Sequence, residues 1–462
     1  MWLMHYTSVV SFLLAVVLST AGAAEDSLQR NRTEWMRSGW GIGFRIQANA
    51  FYWQNFNVTQ FIEQLESLPA LPDWIIFNLS GPSNWGDIYN SYHPILYNHS
   101  RDSTIAVSTP PDLSDQPEGE RSLFENMADA LHAKDIKIIA YMAGQGPPML
   151  KLTKKYHDKI NKGLTHAQSV VSNIAFATDW DSTNLVSEAR EKWLAYVATT
   201  YDCPVNMTEV ATNNCTDGMS IYDCAKDSGP LQQSGFLWDD TGLIINGLNS
   251  YSCAKKAYAQ TIVAWFAENL ADKIDGYWFD QGTYADKVLI EQAIHSVDPT
   301  AVIAYNYGFQ KSPLMNHNPN IEDYIFGHPN PMGGNKGIPA SDPRNEPMVE
   351  SIEDSGDGYI KSATGEALGH MFMPMPYKTW NGYTYVDPGW SDNDGFKAKD
   401  WMGRVLAAGG AWTWNLPNES GDNLATLSLL RLAHAEFLSS VLEDILVLPS
   451  SAPPSSMPSS SP

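Results

Sequence analysis

Short apolar runs alternate repeatedly with helical patterns along this sequence, and the alternation limits the folds that it can adopt. Eight runs read as buried strands because they are nearly continuous in apolar residues, as strands covered on both faces are. They occupy residues 41–46, 74–79, 136–142, 276–280, 302–306, 323–326, 370–375 and 411–415. Helical patterns at residues 58–68, 123–134, 284–296 and 397–408 separate most of them. The alternation predicts an α/β fold, a (β/α)8 barrel of the TIM type rather than an open sheet.

The two ends of the chain differ in composition from this central region. Residues 1–24 lack Asp, Glu, Lys and Arg, and an apolar run at 9–18 precedes small residues. This pattern is typical of a secretory signal peptide and is too short for a membrane anchor. Residues 449–462 are almost wholly Ser, Pro and Ala, which predicts an extended linker or tail. We therefore expect a secreted or cell-surface protein whose barrel spans residues 25–448, without membrane insertion.

Asparagine sequons agree with secretion, because Asn-x-Ser/Thr marks acceptors of N-linked glycans. Seven asparagines begin such a sequon: Asn31, Asn57, Asn78, Asn98, Asn206, Asn214 and Asn418.

The connection between the third and fourth predicted strands, about residues 144–273, is unusually long and contains every cysteine. These are Cys203, Cys215, Cys224 and Cys253. In an oxidising compartment such a clustered, even set favours two disulfides, with three pairings open. A zinc site is the alternative, but there is no CxxC and no histidine between the cysteines. We expect a disulfide-tied insertion over the carboxyl-terminal rim of the barrel.

Charge and composition narrow the class of ligand. The formal net charge of −23 disfavours nucleic acid as a partner, because phosphate binding needs clustered positive charge. Sixteen Trp and 21 Tyr favour a carbohydrate, since sugars stack their C–H faces on aromatic rings. The sequence has no Gly-rich phosphate loop, no serine nucleophile elbow and no HExxH motif. We therefore predict neither a cofactor nor a metal.

The fourth predicted strand ends on Asp280, and Gly282 follows two residues later. Barrel enzymes present catalytic groups at the carboxyl ends of their strands, so Asp280 is the candidate nucleophile; the alternative is that it only caps the next helix. Amides and rings at other strand ends could bind sugar hydroxyls and faces. The candidates for substrate binding are Asn78, Trp278, Asn306, His328 and Trp414.

Residues 277–282, Tyr-Trp-Phe-Asp-Gln-Gly, resemble the nucleophile strand of the α-L-fucosidase family of retaining glycoside hydrolases. Segments 323–326, 350–359 and 402–417 resemble later motifs of that family, in the same order. The resemblance implies a retaining hydrolase that cleaves fucosyl or related deoxy-sugar linkages in glycans or polysaccharides. It implies Asp280 as nucleophile and Glu350 as acid/base. His328, at the end of a predicted strand, is a separate candidate for the acid.

One departure keeps other functions open. The family's paired histidines after the second strand are missing, and Asn78-Leu79-Ser80-Gly81 stands in their place. A catalytically inactive carbohydrate-binding barrel is therefore an alternative. An α-galactosidase-like hydrolase, which also uses an Asp at a strand end, is another.

Overall fold

The computed structural model describes residues 28–44, 57–79, 123–144, 199–201, 256–280, 286–306, 322–325, 327, 346–362, 365–374, 392–416 and 432–446. Its strands are β1 (Trp40–Phe44), β2 (Trp74–Asn78), β3 (Lys137–Ala143), β4 (Gly276–Asp280), β5 (Val302–Tyr305), β6 (Tyr359–Ser362), β7 (Gly365–Leu368), β8 (His370–Pro374) and β9 (Ala411–Asn415). Seven of them form one sheet in the order β5-β4-β3-β2-β1-β9-β8, and every neighbouring pair in it is parallel. Strands β6 and β7 form a separate antiparallel hairpin.

Helices follow most of the strands. They are α1 (Val58–Glu66), α2 (Leu123–His132), α3 (Ala264–Asn269) after a π-helical segment (Tyr258–Val263), α4 (Lys287–His295), α5 (Glu346–Ser355), α6 (Asp392–Ala407) and α7 (Leu432–Leu446). Two starts are fixed by caps: the side chain of Asn57 accepts from the backbone N–H of Gln60, and that of Asp286 from Leu289. In the part of the chain that the structure describes, no helix is long and apolar enough to cross a bilayer.

A short segment, residues 322–325, lies between edge strand β5 and strand β7 of the hairpin and bonds to both. The backbone N–H of Asp323 donates to Ile303 O of β5, at 2.9 Å, and Asp323 O accepts from Leu368 N, at 3.0 Å. Tyr324 forms an isolated parallel bridge with Leu368. The segment therefore joins edge strand β5 to the β6–β7 hairpin, at the position of the predicted sixth strand.

Both faces of the sheet are buried, which explains the nearly continuous apolar runs. On β2, Trp74 and Ile76 belong to an interior cluster, whereas Ile75 and Phe77 pack in the layer between sheet and helices. Strand β1 has glycines facing inward for a steric reason. A Cβ at Gly41 would lie 2.1 Å from Trp74 Nε1, so only glycine leaves room for the indole inside the sheet.

The prediction of an α/β fold with a parallel sheet is confirmed, and the strand boundaries agree within two residues except at the sixth strand, which is a single bridge. The β6–β7 hairpin was not predicted, because Lys361, Ser362 and Glu366 interrupt any apolar run there. The predicted signal peptide, the Ser/Pro-rich segment and all four cysteines lie outside the described residues, as does most of the predicted insertion. Residues 256–269 of that insertion are helical.

Candidate active site

Asp280 is the last residue of β4, and only 9% of it is exposed. Each of its carboxylate oxygens accepts a hydrogen bond from a neighbouring strand. Tyr141 of β3 donates its hydroxyl to Oδ2 at 2.5 Å, and Asn306, directly after β5, donates Nδ2 to Oδ1 at 2.7 Å. The carboxylate is therefore held from both sides by neutral donors.

Strand register explains how these three side chains meet. Asp280 is paired with Ala143 of β3, and Tyr141 is paired with Trp278, one layer of side chains below. The length of the phenol spans that layer, so its hydroxyl reaches the carboxylate. On the other side, Asn306 N donates to Phe279 O at 2.8 Å, which fixes the amide residue beside the strand end.

Trp278 forms the floor beneath the carboxylate. Its ring centroid lies 5.1 Å from that of Tyr141 and 4.6 Å from that of Phe372. The residue is buried, and it belongs to the interior cluster of side chains that includes Tyr141 and Phe372. The indole therefore packs against the Tyr141 ring and restricts its orientation.

Two further amides end neighbouring strands. Asn78 is the last residue of β2 and pairs in register with Tyr141, and Asn415 is the last residue of β9 and pairs with Gly43. Both are buried. An amide can donate and accept hydrogen bonds, so this edge of the sheet offers groups suited to sugar hydroxyls. The structure thus brings Asn78, Asn306 and Asp280 to one end of the sheet.

The capping interpretation of Asp280 does not hold, because the cap of α4 is another aspartate. Asp286 accepts from Leu289 N at 3.2 Å and occupies the N-cap position. Asp280 therefore does not cap this helix, and its carboxylate bonds to Tyr141 and Asn306.

Trp414 does not lie at the site. It is fully buried in the layer between sheet and helices, where Nε1 donates to the sulfur of Met402 at 3.3 Å. Its ring packs edge-on against Trp412 and Phe437. The side chain points away from the interior face, so this aromatic stabilises the core instead of contacting a sugar.

Glu350 also lies away from Asp280. It is exposed on α5, two residues before Ile352, whose side chain packs on Gly369 and Gly410 just before β8 and β9. Along the axis of α5, Glu350 lies only about 3 Å from Ile352, because two helical residues rise about 3 Å. Asp280 lies at the opposite end of its strand, since the five-residue strand β4 is about 13 Å long. Glu350 is therefore on the outer layer near the amino ends of the strands. A retaining pair needs carboxyl groups about 5–5.5 Å apart, so Glu350 is not placed to act with Asp280.

His328 is outside the described residues, but its neighbour Gly327 is not. The carbonyl of Gly327 accepts from Phe372 N at 2.8 Å, so the chain runs along β8 at that point. The position has a φ of +78°, and a Cβ there would lie 2.4 Å from His370 O. Only glycine fits this close approach beside β8.

Tyr141 stands near the end of a predicted strand, but no role in binding or catalysis was predicted for it. The sequence does not reveal its register against β4, on which its contact with Asp280 depends. Within the described ranges, no group of three or more His, Cys, Asp or Glu side chains is arranged to hold a metal ion.

No family model matches the sequence, and no curated protein does. Several solved structures are similar in fold. Endo-fucoidan hydrolase MfFcnA4 of glycoside hydrolase family 107 aligns with a TM-score of 0.54 at 16% identity, covering 89% of this chain and 53% of that one. P5AFcnA of the same family aligns with a TM-score of 0.53 at 16% identity, covering 90% of this chain and 93% of that one. MfFcnA9 aligns with a TM-score of 0.53 at 18% identity, covering 90% of this chain and 64% of that one. The chain shares their fold. It spans about half the length of MfFcnA4.

Proposed function

We propose that the protein is a retaining glycoside hydrolase that cleaves fucosyl or related deoxy-sugar linkages, with Asp280 as the nucleophile. The observation that carries this proposal is a buried carboxylate at the end of β4, held on both oxygens by Tyr141 and Asn306. The fold shared with endo-fucoidan hydrolases supports fucose-containing polysaccharide as the substrate class.

The reaction that this geometry supports has two steps. An oxygen of Asp280 attacks the anomeric carbon, while an acid protonates the departing oxygen. Water then hydrolyses the glycosyl ester. The amide of Asn306 keeps one oxygen of the carboxylate in place, which fixes the direction of attack. Asn78 would bind substrate hydroxyls at the neighbouring strand end.

We assign the acid/base role to His328 in place of Glu350. The support is its sequence position directly after Gly327, whose backbone follows β8. An imidazolium can donate a proton near neutral pH and an imidazole can then accept one from water, so a histidine can serve both steps.

The deciding experiment is hydrolysis of fucoidan and of aryl α-L-fucosides by the purified protein and by Asp280→Asn. We expect release of fucose-containing products by the wild type and loss of turnover by at least about 10³-fold in the variant. Asp286→Asn is the matched control, because asparagine caps a helix as well as aspartate does. Turnover that survives Asp280→Asn would refute the proposed nucleophile.

A carbohydrate-binding barrel without activity is the second candidate, and the specific observation for it is Asn78 in place of the family's histidine pair. Binding to fucoidan with no released sugar, across aryl glycosides and polysaccharides, would favour this function. Release of galactose would instead favour the α-galactosidase-like alternative.

We further propose that the protein is secreted, with the four cysteines paired in two disulfides. The support is the apolar, uncharged segment 1–24 and the clustered cysteines. Thiol counting after denaturation without reductant should give zero. Four reactive thiols would contradict the disulfides.

A further inference from the structure

We infer that the hydroxyl of Tyr141 acts mainly in the second step of the reaction, by stabilising the carboxylate of Asp280 as it leaves the sugar. The inference rests on the proposed function, since it assumes a glycosyl ester on Asp280. It assigns Tyr141 as a positioning residue that controls which of the two steps limits turnover.

The geometry places the hydroxyl of Tyr141 against one oxygen of Asp280. Tyr141 is 1% exposed, and its O–H donates to Oδ2 of Asp280 at 2.5 Å. A hydroxyl bonds more strongly to an ionised carboxylate than to a neutral acceptor. The ring is confined by Trp278 beside it, so the donor cannot swing away without repacking the interior.

The chemistry makes this donor unequal in the two steps. In the first, an oxygen of Asp280 forms a bond to the anomeric carbon. The bond to the departing oxygen breaks, and that oxygen takes the electron pair and a proton from the acid. In the second, water attacks the same carbon, and the electron pair of the ester bond returns to Asp280. The proton of the water goes to the base.

Negative charge on Asp280 disappears in the first step and returns in the second. A hydrogen bond to a charged acceptor is about twice as strong as one to a neutral acceptor, so the ester benefits less from Tyr141 than the free carboxylate does. The donor therefore stabilises the departing carboxylate in the second transition state relative to the ester. By the same physics it makes the free carboxylate a weaker nucleophile in the first step.

Removing the hydroxyl should consequently slow the second step and let the glycosyl ester accumulate. For Tyr141→Phe we expect kcat to fall about 10–100-fold, the range for loss of one hydrogen bond to a charged group. The KM should fall with it, because an accumulating covalent intermediate lowers KM. A purely structural defect would lower activity without this parallel fall.

Tyr324→Phe is the matched control. Tyr324 belongs to the same interior cluster and is also fully buried, but its hydroxyl donates to the backbone carbonyl of Tyr277, at 3.5 Å. Tyr324→Phe removes a hydroxyl oxygen from the same interior cluster as Tyr141→Phe does, but this oxygen does not contact Asp280. We expect its kcat and KM to stay within about twofold of the wild type, the change that about 0.4 kcal/mol would produce.

The experiment uses a 2,4-dinitrophenyl α-L-fucoside, whose good leaving group makes the first step fast. Rapid-quench kinetics should show a burst of dinitrophenol with Tyr141→Phe, and intact-mass spectrometry should show the added fucosyl group. Azide, which attacks the ester faster than water does, should raise the turnover of this variant more than that of the wild type.

A fall in kcat/KM with unchanged KM, no burst and no fucosyl adduct would overturn the inference, as would no change in kcat. Failure of the proposed function is a separate result. It would appear in the wild-type arm, as no dinitrophenol released, or as turnover that survives Asp280→Asn, and it would remove the basis for the Tyr141 role as well.

Discussion

The two ends of the parallel sheet hold buried carboxylates in different ways. At the carboxyl end, the hydrogen bonds described for the two oxygens of Asp280 come from a phenol and an amide. At the amino end, Asp323 and Glu366 are equally buried, but each pairs with an arginine, Asp323 with Arg32 and Glu366 with Arg30. A guanidinium favours the charged form of a carboxylate, whereas a nucleophile must lose its charge when it becomes an ester. Neutral donors suit that change.

The arginines belong to the segment at residues 28–36, which closes the amino end. Arg32 Nε donates to Asp323 Oδ1 at 2.7 Å, and the hydroxyls of Thr33 and Tyr359 lie 2.8 Å apart. Trp35 packs edge-on against Trp74, with ring centroids 5.9 Å apart. This segment thus binds both to the β6–β7 hairpin and to residues 322–325. The amino end is built for stability, and the carboxyl end carries the candidate chemistry.

The largest effect should come from breaking an ion pair at the amino end. Arg32→Met leaves Asp323 buried without its cation, and loss of one partner of a buried pair costs about 3–5 kcal/mol. Burial already raises the pKa of Asp323 and outweighs the opposing effects of Arg32 and His295. The measurement is the free energy of unfolding in urea at pH 7. Lys134→Met, which breaks the exposed pair with Glu66, should change it by about 0–1 kcal/mol. Equal losses in the two variants would contradict the difference between the ends.

At the carboxyl end, the expected loss is of activity. Asn306→Ala removes the donor to Asp280 Oδ1, so kcat/KM should fall about 10–100-fold while stability falls by only about 1–2 kcal/mol. Steady-state kinetics and urea unfolding of the same preparation test both values. If Asn306→Ala instead unfolds as readily as Arg32→Met and its folded fraction is fully active, the amide has a structural role only.

How much of this arrangement the sequence reveals depends on burial. The position of Asp280 at the end of β4 was predictable, because it is a charged residue at the end of an otherwise apolar run. The position of Trp414 was not, because β9 is buried on both faces, and alternation alone does not say which face points inward. Trp412 and Trp414 share the outer face, and Thr413 between them points to the interior, where it bonds Trp74 and His370.

Contacts between strands were equally hidden. The role of Tyr141 depends on a register in which it starts one layer below Asp280, and no local pattern specifies register when both faces are apolar. Glu350 was selected by its place in a linear motif. Motif order does not say whether a residue faces the interior or the outer layer, and α5 turns it to solvent.

A carboxylate just before β4 gives a test at low pH. Asp275 accepts from His132 at 2.7 Å and from Lys137 and Ile138 N at 2.9 Å. Burial raises the pKa of Asp275, but these three donors outweigh it, and the net pKa is lowered. Its stabilisation is therefore present above the unfolded value of about 3.9 and is lost as pH falls through the folded value.

Asp275→Asn should accordingly lower the free energy of unfolding by about 1–2 kcal/mol at pH 7 and flatten its decline below about pH 4. Urea unfolding between pH 3 and 7 measures both. A decline as steep in the variant as in the wild type would show that other carboxylates dominate acid unfolding.

The smallest effect should follow from Glu350→Gln. The side chain is exposed on α5, so its neutralisation should change stability by less than about 0.5 kcal/mol and turnover by less than about twofold. His328→Ala should instead lose the acid/base. Azide should then restore its turnover and form a glycosyl azide, because a small anion can enter the space of the missing side chain and needs no proton removed. Rescue of Glu350→Gln and not of His328→Ala would require α5 to deliver Glu350 to the interior of the sheet. The packing of Ile352 on Gly369 and Gly410 opposes that movement, because one helix cannot keep Ile352 buried and turn Glu350 inward together.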